Sequence, residues 1–229
     1  MHKYAIIVAG GVGARMGSAT PKQFLSLHDR PVLYYTLKVF LEAFDDLQII
    51  LVLPDEYIDL GKEIIDAFFD YSRIQLAAGG ETRFHSVKSG LQQVTKDSIV
   101  FVHDAVRCLV TTDLIQRCYE NALETGSAVP AVRCKDSVRL LNEQENDNEI
   151  LDRSKVVLIQ TPQTFHSRIL LPAFEIDYKE RFTDEATVVE SFGLKISLVE
   201  GEENNMKITR PTDLLIAEGL LNAGLKVHS

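Results

Sequence analysis

The stretch YAIIVAGGVGARMGSATPKQ, residues 4–23, passes from a short apolar segment into a loop rich in glycine. The apolar part is short and β-branched, which predicts a buried strand over Tyr4–Ala9. Glycines let the backbone approach an anion closely and direct its N–H groups toward it. A strand that ends in such a loop therefore predicts a phosphate site at the start of the chain.

Two common phosphate-binding motifs do not fit the spacing of this loop. The dinucleotide motif G-x-G-x-x-G requires a glycine three residues after Gly13, where Met16 stands. The P-loop requires a lysine directly after a correctly spaced glycine, and the loop has none. Arg15 and Lys22 instead supply two cations, which favours a triphosphate. The alternative is an ordinary strand-to-helix loop with basic surface residues.

Composition narrows the class of protein. The 229 residues carry a formal net charge of −9, which disfavours a nucleic-acid partner because that binding depends on clustered positive charge. No apolar run approaches the roughly 18 residues of a membrane span, and no signal segment is visible. The three cysteines, Cys108, Cys118 and Cys134, show no C-x-x-C spacing. We therefore expect a cytoplasmic protein without a disulfide framework or a zinc site.

Short apolar runs alternate with longer amphipathic ones along the chain. Continuous apolar strands such as Ile49–Leu53 indicate burial on both faces of a sheet. The pattern predicts an α/β fold, Rossmann-like and doubly wound, with a mostly parallel sheet. Strands are predicted near Tyr4–Ala9, Gln48–Leu53, Ile74–Ala78, Ser98–His103 and Ser127–Val132. Helices are predicted near Val32–Ala43, Tyr57–Phe69, Arg83–Val94, Thr112–Glu124, Arg168–Phe174, Asp184–Phe192 and Thr212–Ala223.

One segment, about residues 134–160, departs from this alternation. Its polar centre lies between the β-like stretches Asp136–Leu141 and Ile150–Ile159, which predicts a long hairpin with a hydrophilic tip. An isolated two-stranded hairpin is marginally stable in water, so a second subunit is its expected support. A disordered insertion is the alternative. We interpret residues 1–229 as a single domain that carries this hairpin as an arm.

Charged residues follow several of the predicted strands. Open parallel sheets bind ligands at the carboxyl ends of their strands, so these residues are expected to meet at one edge. Asp104, at the end of the fourth predicted strand, is placed like a metal ligand. A short strand is predicted within residues 204–211, ahead of the last helix. The cations expected at this edge are Arg15, Lys22, Arg83, Arg107 and Lys207, with Asp104 as the single acid among them.

Eight stretches together make the sequence similar to one family. They are AGGVGARMG–PKQF, GGETRFHSV, VHDAVR, AVPAVRCKDSV, LDRS, QTPQTF, TDEATVVE and NMKITRPTDL, in the family's order and over nearly the whole chain. The chain resembles the 2-C-methyl-D-erythritol 4-phosphate cytidylyltransferases of the non-mevalonate isoprenoid pathway. The resemblance implies transfer of CMP from CTP to the acceptor phosphate, release of pyrophosphate, a divalent cation such as Mg²⁺, and a homodimer formed through the arm.

The resemblance also implies roles for individual residues. The catalytic cations would be Arg15, Lys22, Arg153 and Lys207. The nucleotide would contact Ala9, Gly10, Gly11, Gly13, Gly80, Glu81, Ser86 and Asp104, and Asp104 would also bind the metal ion. The acceptor would contact Arg107, Asp136, Ser137 and Thr161. If the arm crosses to a second subunit, then Asp136, Ser137 and Arg153 serve the neighbour's site.

Other readings stay open at this point. Relatives that make CDP-ribitol share most of these stretches, so ribitol 5-phosphate is the alternative acceptor, and a non-catalytic nucleotide-binding protein is the alternative class. Asn204 stands where some relatives have aspartate, so a second metal carboxylate is doubtful. His103 is interpreted as a supporting residue and not as a base. The acids Asp184, Glu185 and Glu190 are interpreted as capping and solvating a helix, and contact of Thr183 and Asp184 with the acceptor is the alternative.

Overall fold

The strands of the described chain build one central sheet and two small ones. The computed structural model describes residues 1–11, 20–142 and 147–223. Its strands in chain order are β1 (His2–Val8), β2 (Ser26–Leu27), β3 (Arg30–Pro31), β4 (Leu47–Leu53), β5 (Ile74–Ala78), β6 (Ser98–Asp104), β7 (Ser127–Arg133), β8 (Val138–Asn142), β9 (Asp147–Leu151), β10 (Val157–Ile159), β11 (Gln163–His166) and β12 (Leu198–Glu200).

Within the described ranges the central sheet has eight strands and is mostly parallel. Its spatial order is β10-β7-β11-β6-β1-β4-β5, with β12 pairing in parallel with β7. Strand β1 lies between β4 and β6 and is parallel to both. The two antiparallel strands are β10, which pairs with β7, and β11, which lies between β6 and β7. The predicted α/β fold with a mostly parallel sheet is therefore confirmed.

Alternate residues of the central strands pack into two different cores. On one face Ile7, Ile49 and Phe101 belong to one buried cluster, and on the other Ile6 and Val102 belong to a second. This arrangement explains why the strands read as continuous apolar runs, since both faces are covered. Burying one such side chain fully stabilises the fold by about 1.5–3 kcal/mol.

Seven helices in the described residues flank the sheet. They are α1 (Val32–Ala43), α2 (Ile58–Phe68), α3 (Arg83–Leu91), α4 (Thr112–Thr125), α5 (Ser167–Ala173), α6 (Glu185–Ser191) and α7 (Pro211–Asn222). Helices α1, α2 and α4 cover the first core, and α3, α5 and α6 cover the second. All seven predicted helices are present, with ends that differ from the prediction by up to three residues. No helix of the described chain is both long and apolar enough to cross a membrane.

The segment predicted as a long hairpin is a shorter hairpin followed by a separate strand. Strands β8 and β9 pair from Val138 with Leu151 to Asn142 with Asp147. The predicted second strand, Ile150–Ile159, is wrong as one element, because a 3₁₀ turn over Arg153–Lys155 interrupts it. The Asp152 carboxylate accepts from the Ser154 N–H at 3.0 Å and stabilises that turn. Beyond the turn, β10 pairs with β7 of the central sheet. Residues 143–146, in the predicted tip, lie outside the described part.

Candidate active site

A cavity opens at the carboxyl end of the parallel strands. It lies where β1 and β6 end and where the loop after β5 leads into α3. This is the position at which open α/β sheets bind their ligands. Its described lining is Val8, Ala9, Gly10, Gly11, Lys22, Gln23, Gly80, Glu81, Thr82, Arg83, Ser86, Asp104, Val106 and Lys207.

Asp104 at the end of β6 is the centre of an ionic cluster in this cavity. The residue is 7% exposed. Its Oδ1 lies 3.1 Å from Arg83 Nε, and its Oδ2 lies 2.8 Å from Lys207 Nζ and 3.7 Å from Arg107 Nε. Burial opposes ionisation of this carboxyl, but Arg83, Lys207 and Arg107 together hold the pKa of Asp104 well below its usual range. Asp104 is therefore an anion at neutral pH.

Glu185 is a second acid at this edge of the sheet. The prediction that it lies on the solvated surface of a helix is wrong. It is 1% exposed, at the first position of α6. Arg83 donates to it through Nη1, and through Nη2 at 3.1 Å from Oε2. Burial works against the charged guanidinium, but Glu185 and Asp104 raise the pKa of Arg83 above its ordinary value. The other two acids match the prediction, since Asp184 caps α6 and Glu190 is exposed.

The cluster carries more positive than negative charge. Three cations, Arg83, Arg107 and Lys207, meet two carboxylates, which leaves one positive charge. Lys22, which is 9% exposed, and Glu81 also line the cavity, and their opposite charges leave this balance of one positive charge unchanged. Unbalanced charge is costly where water is scarce. The cavity therefore favours an anionic ligand.

Lys22 is held at the cavity by a short turn after Pro21. Lys22–Phe24 forms a 3₁₀ helix that begins directly after this proline. The neighbouring Gln23 is 1% exposed, and its Nε2 donates to the Ala9 carbonyl at 2.7 Å. This bond ties the turn to the end of β1. Sequence reasoning missed Gln23, although it stands inside the quoted stretch PKQF. The predicted residues Gly13 and Arg15 lie outside the described residues.

Lys207 comes from a loop, and the short strand predicted within residues 204–211 is wrong. The Ile208 N–H donates to the Val106 carbonyl at 2.9 Å, but residues 204–208 form no strand. Asn205, which is fully buried, anchors the loop by donating through Nδ2 to the Thr161 carbonyl at 2.8 Å. Arg107 Nη1 donates to the Asn205 carbonyl at 2.9 Å. Side-chain contacts therefore replace the missing strand ladder.

The glycine-rich loop after β5 forms a wall of the cavity. The Gly80 N–H donates to Ser86 Oγ at 3.1 Å, which folds the loop back onto the first turn of α3. A Cβ at Gly80 would lie 2.5 Å from His85 Cβ, so a larger residue does not fit there. Thr82 caps α3 by accepting from the His85 N–H. The predicted nucleotide-binding residues Ala9, Gly10, Gly11, Gly80, Glu81 and Ser86 all line the cavity with Asp104.

Thr161 and His103 lie behind Asp104. The Thr161 hydroxyl accepts from the Asp104 N–H at 3.2 Å and lies 3.0 Å from His103 Nδ1. The other ring nitrogen, Nε2, lies 3.2 Å from the Arg107 carbonyl. Burial lowers the pKa of His103 to about 3. The ring is thus neutral and engaged on both sides, as expected of a supporting residue, and the Thr161 hydroxyl fixes the end of β6.

The predicted acceptor residues of the arm, and the predicted catalytic residue Arg153, do not join this cluster within one chain. Asp136, Ser137 and Arg153 are exposed on the arm, and Arg153 Nη1 donates to the Lys135 carbonyl at 2.8 Å. None of the three is among the described residues that line the cavity. One chain thus brings the described nucleotide-binding residues, Asp104 among them, together at the cavity. It leaves the three arm residues apart from that cavity.

The residues at the cavity fit a divalent cation only in part. No group of three His, Cys, Asp or Glu side chains in the described ranges could hold a metal ion by itself. Mg²⁺ is commonly bound through one or two carboxylates, with water and substrate phosphates completing its coordination. Asp104, a buried carboxylate facing an anion site, fits that arrangement, provided that a phosphate ligand supplies further oxygens.

Comparison with known proteins assigns the family. The model of the 2-C-methyl-D-erythritol 4-phosphate cytidylyltransferase family matches residues 3–223. The enzyme of that name from Bacteroides fragilis is 44% identical over 222 residues, which cover 96% of this chain and 100% of the relative. The structure of 4-diphosphocytidyl-2C-methyl-D-erythritol synthase from Anaerococcus prevotii matches with a TM-score of 0.82 and 28% identity, covering 96% of this chain and 98% of that one.

A second solved structure gives the same assignment. The 2-C-methyl-D-erythritol 4-phosphate cytidylyltransferase from Thermus thermophilus matches with a TM-score of 0.75 and 30% identity, covering 97% of this chain and all of that one. The matched region contains both the cavity and the arm. The chain therefore belongs to the 2-C-methyl-D-erythritol 4-phosphate cytidylyltransferase family, whose members are nucleotidyltransferases.

Proposed function

We propose that this chain transfers CMP from CTP to 2-C-methyl-D-erythritol 4-phosphate and releases pyrophosphate. The observation that carries the proposal is the meeting of Arg83, Arg107 and Lys207 around Asp104 in a cavity with excess positive charge. The family assignment supplies the two substrates. The product is CDP-methylerythritol, an isoprenoid precursor.

The chemistry needs relief of charge repulsion more than it needs a base. An oxygen of the acceptor phosphate attacks the α-phosphorus of CTP, a new P–O bond forms, and the bond to the β-phosphate oxygen breaks. The attacking oxygen is already anionic near neutral pH, so no proton has to be removed first. Lys22, Lys207 and Arg15 would stabilise the charge that grows on the triphosphate. Because His103 is neutral and hydrogen-bonded on both sides, its state agrees with a reaction without a histidine base.

The nucleotide would lie against the two glycine-rich loops. Gly10 and Gly11 offer backbone close to the triphosphate, and Gly80, Glu81 and Ser86 would contact the cytosine and its ribose. A pyrimidine that is held largely by hydrogen bonds to backbone groups does not need aromatic side chains to stack on it. Asp104 would hold a divalent cation, Mg²⁺ in the first instance, which supplies neutralisation of phosphate charge when it is bound.

The arm would complete the site of a second subunit in a homodimer. Its strands expose apolar side chains, with Leu141 at 69% and Ile150 at 74%. An isolated hairpin of this kind is marginal in water, so a covering subunit would stabilise it. Asp136, Ser137 and Arg153 would then bind the acceptor phosphate in the neighbour's cavity. Three free cysteines agree with the proposed cytoplasmic location.

Parallel assays with two acceptors test the proposed reaction. Pyrophosphate release from CTP is followed with 2-C-methyl-D-erythritol 4-phosphate or ribitol 5-phosphate as the acceptor, and phosphorus NMR identifies the product. We expect turnover with the first acceptor and formation of its CDP derivative. Reactions with ATP in place of CTP, or without acceptor, serve as controls. Turnover with ribitol 5-phosphate alone, or none with either acceptor, would contradict the proposal.

A further inference from the structure

We propose that Glu185 is a positioning residue for the transfer reaction, acting through Arg83 on Asp104. The inference rests on the proposed function, because it assigns Glu185 a part in the same site. Glu185 does not line the described cavity, and it reaches the chemistry through the guanidinium that lies between the two carboxylates.

The geometry makes Arg83 a rigid bridge and not an available phosphate ligand. Its Nε donates to Asp104 at 3.1 Å, while Nη1 and Nη2 both donate to Glu185. A bidentate pair of this type fixes the plane of the guanidinium. Arg83 was expected from the sequence to be one of the cations on the anion. In the structure its directed donors instead hold two carboxylates 81 positions apart in the chain, at residues 104 and 185.

Glu185 is itself held in place from outside the cavity. Gln163 on β11 is 1% exposed, and its Oε1 accepts from the Ala186 N–H at 2.8 Å. Its Nε2 donates to Asp184 Oδ2 at 3.0 Å. Asp184 in turn caps α6 through the Thr187 N–H at 2.9 Å. The first turn of α6 is therefore fastened to the central sheet, and the carboxylate of Glu185 has a fixed position.

This bridge determines which cations contact each carboxylate oxygen of Asp104. With Glu185 in place, Arg83 contacts Oδ1 through Nε, while Oδ2 faces Lys207 and Arg107. Without the negative charge of Glu185, the terminal nitrogens of Arg83 lose their anionic partner at the wall of an anion site. They are then available to pair with Asp104 more fully or to turn toward the triphosphate. Either change misplaces Asp104 relative to Lys207 during transfer.

The consequence for kinetics is a fall in turnover without a loss of CTP affinity. A guanidinium released from Glu185 adds positive charge at the anion site, which favours binding of the triphosphate. The same guanidinium disturbs the arrangement of Asp104 that the transfer requires. Supporting residues of this type typically change activity by about 10–100-fold. If Glu185 had only a structural role, its replacement would instead lower the stability of the protein and would not lower kcat selectively relative to KM.

A double-mutant cycle tests the proposal in the full-length protein. The variants are Glu185→Gln, Arg83→Gln and the double variant, with Glu190→Gln on the exposed side of α6 as the matched control. For Glu185→Gln we expect kcat to fall at least about tenfold, with KM for CTP no higher than in the parent. Because Glu185 acts through Arg83, the double variant should have a kcat no lower than that of Arg83→Gln alone. Glu190→Gln should match the parent.

Calorimetric binding of CTP in EDTA gives a second readout that does not depend on the reaction. Glu185→Gln should bind CTP more tightly than the parent, and the double variant should lose that gain. A Glu185→Gln kcat within about twofold of the parent, or losses that multiply in the double variant, would overturn the inference. If the parent shows no transfer at all, the proposed function fails, and the binding comparison alone decides the role of Glu185.

Discussion

The cavity and the arm place charged residues in opposite surroundings. At the cavity, Asp104 and Glu185 are almost fully buried, and cations from α3, the loop after β6 and a late loop surround them. On the arm, Asp136 and Arg153 are exposed beside uncovered apolar side chains. One chain therefore organises the part of the site proposed to hold the nucleotide. The part proposed to hold the acceptor lies on a segment whose support must come from elsewhere.

The largest expected effect lies at the cavity. Lys22→Ala should lower kcat by on the order of 10²–10³-fold while the protein still folds, because it removes one preorganised cation from the anion site. Steady-state pyrophosphate release measures the effect, and circular dichroism checks folding. Lys62→Ala, on the exposed face of α2, is the matched control. A Lys22→Ala enzyme as active as the Lys62→Ala enzyme would remove Lys22 from the proposed mechanism.

The next effect concerns the arm. The double variant Leu141→Asp/Ile150→Asp should raise the dissociation constant of the proposed dimer by on the order of 10²-fold, because two apolar side chains would no longer be buried against a partner. Sedimentation velocity over a dilution series measures this change. Leu215→Asp alters a side chain of similar exposure on α7 and serves as the control. An unchanged oligomeric state in the arm variant would show that the arm does not form the interface.

The burial of His103 behind Asp104 should have a smaller effect, which is a dependence of the free energy of unfolding on pH. Because burial lowers the pKa of His103 to about 3, the unfolded chain takes up a proton below about pH 6.5 while the folded chain does not. This contribution to stability is complete above pH 6.5 and is lost as the pH falls toward 3. At pH 5 the loss from His103 should be about 2 kcal/mol.

Urea unfolding at pH 7 and pH 5 measures that loss. In His103→Asn the decrease in the free energy of unfolding between the two pH values should be smaller than in the parent by about 2 kcal/mol. His28→Asn changes an exposed histidine away from the cavity and is the matched control. If the free energy of unfolding depended on pH equally in His103→Asn and in the parent, His103 would not be a neutral group shielded from water behind the cavity.

The smallest expected effect separates the two substrates. Arg153→Ala should raise KM for the acceptor by about tenfold and KM for CTP much less, because the arm is proposed to contact the acceptor phosphate alone. Initial rates over a grid of both substrate concentrations give the two constants. Arg139→Ala, on β8 of the same arm, is the matched control. A rise in KM for CTP as large as that for the acceptor would place Arg153 at the nucleotide.

Much of the fold follows from the sequence because both faces of the sheet are covered. The run Ile49–Leu53 can be continuous and apolar only where each side chain meets a core, and the two clusters bear this out. Parallel strands then bring Asp104 and the residues after β5 to one edge. Strand β11 was missed because Gln163–His166 is mostly polar in sequence, although all four residues are buried.

The tertiary ion pairs could not be read from the sequence. Glu185 at the start of a helix has the ordinary signature of an acid that favours the helix dipole. Its actual partner, Arg83, is 102 positions away in the chain and is reached only after both layers have packed. The same holds for Asn205 and Gln23, whose side chains fasten loops by bonding to distant carbonyls. No local pattern distinguishes such residues from surface amides.

Mixing two impaired variants tests the division between cavity and arm most directly. Lys22→Ala and Arg153→Ala proteins are combined under conditions in which subunit exchange is verified, and pyrophosphate release is measured at an acceptor concentration well below the KM of the parent, where both variants are slow. If each arm serves the neighbour's cavity, a mixed dimer has one intact site, and a random mixture should recover about a quarter of the parent activity. Activity that stays at the level of the separate variants would contradict the account.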